Sequence, residues 1–119
     1  MNTMRTFLTL MFSLAGLSLA QAHAFLDHAD PKVGSTVTGS PSVVKAWYTE
    51  EIEPAFSKIQ VYDATGKEID KKDVKVDSAD KSLMSVSVPN LPAGTYKVKW
   101  SAVAVDTHHT TGTFTFTVR

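Results

Sequence analysis

Tyr96-Lys97-Val98-Lys99-Trp100 decides the class of fold, because three large apolar side chains alternate there with two lysines. A period of two puts the apolar set on one face of a strand and the lysines on the other; a helix would space its apolar residues three and four apart. The alternation recurs on both sides. Downstream, Phe114, Phe116 and Val118 alternate with Thr113, Thr115 and Thr117. Upstream, Val44, Ala46 and Tyr48 alternate with Val43, Lys45 and Trp47, Ile59 and Val61 with Lys58 and Gln60, and Met84, Val86 and Val88 with Ser85 and Ser87. Turn residues fall between these runs: Asp30-Pro31 and Gly34, Ser40-Pro41, Ala64-Thr65-Gly66-Lys67, and Pro89 to Gly94. Short strands punctuated in this way predict an all-β domain, an antiparallel sandwich with Greek-key connections.

The most charged stretch, Ile69 to Lys81, reads as a solvated hairpin or loop. The chain has 119 residues, enough for one domain and not for two. Twelve Lys and Arg balance twelve Asp and Glu, so the basic footprint of a nucleic-acid binder is missing. There is no cysteine. That excludes a disulfide framework, a thiolate zinc site, an iron–sulfur cluster and a blue-copper centre, and leaves N and O as the donors for any metal.

The amino-terminal segment reads as an export signal over residues 1–22, with the domain at 23–119. Arg5 gives the positive start, and Phe7 to Ala20 is apolar but for Thr9, Ser13 and Ser18. The run is too short to span a bilayer, which takes about 20 residues, so no membrane insertion is expected once it is removed. Ala20-Gln21-Ala22 is the cleanest small-x-small match and would make His23 the first residue; cuts after Ala20 or Ala24 satisfy the same rule.

Four histidines occur, and His108 and His109 stand with Asp106 just before the last predicted strand. In extended backbone Asp106 and His108 would project together, with Thr107 and His109 turned away. An exposed turn that happens to hold two histidines would look the same. A terminal His23 would add two nitrogens, its α-amine and its Nδ1, which close a six-membered chelate and shed protons near neutral pH. With His108 and Asp106 this is the tetragonal N/O ligation that Cu(II) prefers.

A leading His23, Trp47-Tyr48-Thr49-Glu50 with Phe56-Ser57, Asp63-Ala64-Thr65-Gly66, Leu91-Pro92-Ala93-Gly94-Thr95-Tyr96 and Asp106-Thr107-His108 come in the order in which they occur in the CopC copper-resistance family. Over essentially the whole chain beyond the signal, the sequence resembles that family. The resemblance implies a small Greek-key barrel or sandwich, Ig-like or cupredoxin-like, of about seven antiparallel strands. It implies one Cu(II) per chain held by His23, His108 and Asp106, with Glu50 beside the site orienting an imidazole. It also implies a periplasmic, non-enzymatic role in binding copper, sequestering it or delivering it to a CopD-like inner-membrane copper transporter. His28 and His109 match no position of the family site. The Met-rich Cu(I) loop of some members is missing, since Ile59 to Val76 has no methionine and Met84 is the only one beyond the signal.

Two other functions compete. The same ligands resemble the histidine brace of lytic polysaccharide monooxygenases, but those enzymes are larger and present a flat aromatic face, and an Asp ligand would fill space that oxygen activation needs. A metal-free interaction module is the other, favoured if the chain began at Gln21 or Phe25. No serine stands in a nucleophile-elbow pattern, so no catalytic residue is assigned.

Overall fold

The computed structural model describes residues 24–119; the expected export signal at 1–22 and His23 lie outside the described residues. Eight strands follow in order: β1 (Leu26–Asp30), β2 (Thr36–Val37), β3 (Val43–Tyr48), β4 (Lys58–Tyr62), β5 (Lys75–Val76), β6 (Leu83–Ser87), β7 (Gly94–Val103) and β8 (His109–Val118). They form two four-stranded sheets, ordered β1-β3-β6-β5 and β2-β8-β7-β4. The chain changes sheet at every link except β5–β6 and β7–β8. These crossing connections make a Greek-key sandwich, as the alternation and turn spacing predict.

The inner faces carry the residues the alternation assigns to them. Val44, Ala46 and Tyr48 of β3 and Met84 and Val86 of β6 meet Ile59 and Val61 of β4, Tyr96, Val98 and Trp100 of β7 and Phe114, Phe116 and Val118 of β8. Two aromatic contacts tie the core together: Tyr48 packs edge-on against Trp100 at 5.1 Å, and Tyr96 stacks on its cross-strand neighbour Phe116 at 5.6 Å. Tyr96 also donates its phenol to the carbonyl of Pro92 at 2.6 Å, which fixes the corner where the chain enters β7. This is the tyrosine corner of Ig-like sandwiches.

Three features go beyond the expectation. The described residues form eight strands, close to the seven expected, and β2 pairs with β8 in parallel. The reason lies in the amino-terminal strand, which divides: β1 joins the first sheet and β2 the second, so the returning segment meets β8 running the same way. The charged stretch from Ile69 to Lys81 is not simply a solvated loop. Asp70 is buried and accepts the amide of Val61 at 2.8 Å, Ile69, Val74 and Val76 pack on the core, and Lys75–Val76 forms the edge strand β5.

Candidate metal site

The β7–β8 hairpin carries the site residues at its tip. A tight turn closes it, with the amide of Thr107 donating to the Ala104 carbonyl at 2.7 Å and that of Ala104 to the His108 carbonyl at 2.9 Å. Thr107 has φ 76°, a left-handed conformation that a β-branched residue rarely takes, so the backbone here reverses sharply. The expectation of an extended Asp106–His108 segment therefore fails in its reason while its consequence stands. The turn itself folds Asp106 back onto His108: its Oδ1 accepts the His108 amide at 3.2 Å, and its Oδ2 lies 3.1 Å from Nδ1. Both side chains remain accessible to solvent. This turn sets an oxygen of Asp106 and a ring nitrogen of His108 side by side, a pair that one ion would bridge by displacing the proton between them.

His109, the neighbouring residue, belongs to the opposite face. It starts β8 and places Nε2 2.7 Å from the hydroxyl of Ser101, on the outer side of the second sheet. His28 is occupied elsewhere too: its ring lies flat on Trp47 at 4.4 Å, and its Nδ1 is 2.7 Å from Asp27. Glu50 sits exposed in the segment after β3, next to Thr49. Met84 is fully buried in the core, where its thioether cannot reach a solvent-borne ion.

The start of the described chain comes to the same end of the sandwich. The hydroxyl of Thr110 donates to the carbonyl of Ala24 at 2.6 Å. Phe25 pairs with Thr49 through two bonds, its amide to the Thr49 hydroxyl at 3.0 Å and the Thr49 amide to its carbonyl at 2.9 Å. Ala24 is wholly buried between them. No sequence signal marks the part played by Thr110 or Thr49, since one threonine among many carries no periodicity or motif.

Among the described residues no group of three His, Cys, Asp or Glu converges to hold a metal. Asp106 and His108 supply an N/O pair that suits copper.

Residues 26–119 match the sequence profile of the CopC domain. The chain belongs to the CopC family. The crystal structure of CopC from Methylosinus trichosporium OB3b superposes with a TM-score of 0.76 at 33% identity, covering 81% of this chain and 93% of that one. PcoC from Escherichia coli, described as a methionine-rich copper resistance protein, gives a TM-score of 0.74 at 31% identity, covering 82% and 100%. The copper transport protein CutJ of Bacillus subtilis is 29% identical over 98 residues, which are 82% of this chain and 18% of CutJ, so the CopC-family match spans a minor part of that longer protein. These likenesses support the sandwich directly, and with it the copper-resistance setting of the family.

Proposed function

We propose that this CopC-family chain binds one Cu(II) per molecule in the periplasm and sequesters it or delivers it, His23 giving amine and imidazole nitrogen, His108 imidazole nitrogen and Asp106 oxygen. One observation carries the reading: the hairpin tip that pairs Asp106 with His108 lies beside the clamp that holds Ala24. Consecutive Cα atoms are about 3.8 Å apart, so the residue bonded to Ala24 cannot stray far from that clamp. If the export signal is cut after Ala22, that residue is the new amino terminus. The ligand set is nitrogen-rich and carries no thiolate, which favours Cu(II), first among the divalent ions in affinity for such sites. Glu50 stands nearby in sequence to Thr49, where it orients an imidazole N–H or adds a weak oxygen donor. A CopD-like inner-membrane transporter is the corresponding partner for delivery.

The test compares the protein beginning at His23 with a form carrying one extra residue before it. The extra residue turns the α-amine into an amide, which is no donor until it loses its proton, so the chelate opens. Cu(II) affinity, read by competition titration, falls steeply in the extended form, and the tetragonal nitrogen-rich EPR spectrum of the parent changes. Equal affinity in the two forms would overturn the amino-terminal site.

A further inference from the structure

We infer that Thr110 and Thr49 are positioning residues for the metal site, two jaws that hold the backbone of Ala24 and Phe25 so that the residue ahead of them is presented to His108. The inference rests on the reading just proposed.

The jaws come from different sheets. Thr110 belongs to β8 of the second sheet, and Thr49 follows β3 of the first. Thr110 lies two positions beyond His108, on the inner side of the alternation that Phe114 and Phe116 continue. The grip on Ala24 therefore lies two residues along the chain from His108, whose carbonyl accepts the Ala104 amide to close the turn. His109 falls on the other side and bonds Ser101. The carbonyl of Ala24 is buried, and the Thr110 hydroxyl is its donor. On the far side of the same peptide, the Phe25 amide is held by the Thr49 hydroxyl. Both polar atoms of the Ala24–Phe25 peptide are therefore held by side chains, one from each sheet.

A strand that ended freely would have to be ordered when the ion binds, and that ordering would subtract from affinity. Here the ordering is already done by the fold. The neighbouring histidine is already engaged, since His109 bonds Ser101 on the outer face of the second sheet.

The experiment uses the protein beginning at His23 and three variants, Thr110→Val, Thr110→Ser and Thr49→Val. Valine keeps the shape of threonine and removes only the hydroxyl; because the Ala24 carbonyl it satisfies is buried, the metal-free melting temperature of Thr110→Val should fall, and binding is compared well below that transition. Three readings are taken: Cu(II) affinity by competition, hydrogen exchange of the Phe25 and Leu26 amides without metal, and the melting temperature with and without Cu(II). Thr110→Val should weaken Cu(II) binding about tenfold, speed exchange at those amides and shrink the copper-induced rise in melting temperature. Thr110→Ser should restore all three. Thr49→Val tests the second jaw independently and should give the same pattern should Thr110→Val not fold. Affinity within twofold of the parent in both valine variants, or a serine variant as weak as valine, would overturn the inference. If the one-residue extension weakens binding and the valine variants do not, only the clamp is wrong; if the extension has no effect, the ligand assignment itself falls.

Discussion

Gly112 lies directly against the indole of Trp100: a Cβ built on it would come within 2.6 Å of the ring carbon Cζ2 and 2.8 Å of Cε2. The two residues are cross-strand partners in β7 and β8, and the indole also meets Tyr48 in a T-shaped contact. Gly112→Ala therefore forces the ring off its place without any backbone penalty, and overpacking of this kind costs about 1–3 kcal/mol. Urea denaturation should show that loss with the m-value unchanged. A neutral result would mean that Trp100 has room to move.

The hydroxyl of Tyr48 has no hydrogen-bond partner among the described residues, although the side chain is buried. Tyr48→Phe removes an unsatisfied polar atom and should leave stability at pH 7 unchanged or raised by up to about 1 kcal/mol. Burial also pushes the phenol above its ordinary pKa of 10. The folded state thus holds that proton more tightly than the unfolded state. The stabilisation is complete below pH 10 and is lost as pH rises through the range between the unfolded and folded values. Denaturation midpoints at pH 8 and pH 11 should fall less for Tyr48→Phe than for the parent.

At the acid end the turns respond. The Asp63 carboxyl is held below the usual range chiefly by the hydroxyl of Thr65 at 2.6 Å, helped by the Lys67 amide, and Asp80 chiefly by the hydroxyl of Ser82 at 2.6 Å. Their stabilising bonds are intact above about pH 4 and are lost as pH falls through the lowered values. Carboxyl titration by NMR should place both below the ordinary Asp value of about 3.9. An Asp63 titrating at or above that value would contradict the turn geometry.

Replacement of single histidines separates the two sides of the hairpin. His108→Ala should abolish most Cu(II) affinity and Asp106→Ala should reduce it less, while His109→Ala and His28→Ala should alter it little, being engaged with Ser101 and Trp47. A large loss at His109 would move the site to the outer face of the sheet.

Cu(I) should bind weakly, because the chain has no cysteine and Met84 is fully buried. In competition with a Cu(I) chelator the chelator should take the metal. Retention of Cu(I) by the protein would count against the Cu(II) reading.

The long strands were legible because each has one buried face: Tyr96-Lys97-Val98-Lys99-Trp100 and Thr113 to Val118 write their burial as strict alternation. The short ones were not. Two-residue strands such as β2 and β5 are too brief to show a period, and Leu26–Asp30 is mostly polar, with a bulge between Leu26 and His28 that breaks its register. Asp106 and His108 were legible as a pair by spacing, yet the means by which they meet was not, since nothing in Val105-Asp106-Thr107 announces a positive φ at a threonine. The side-chain grip of Thr110 on Ala24 joins residues 86 positions apart, a separation at which local pattern carries no information.

The division of the amino-terminal strand bears on how these molecules behave when crowded. An open sandwich has four sheet edges, each a template on which another chain could add a strand. Here the edges are β1, β5, β2 and β4; β2 and β5 are two residues long and β1 is interrupted by its bulge. Only β4 offers five regular residues, and it opens with Lys58. A neighbour trying to lengthen the first sheet, or the β2 side of the second, finds little continuous backbone to read, which leaves β4 as the edge where such pairing would start.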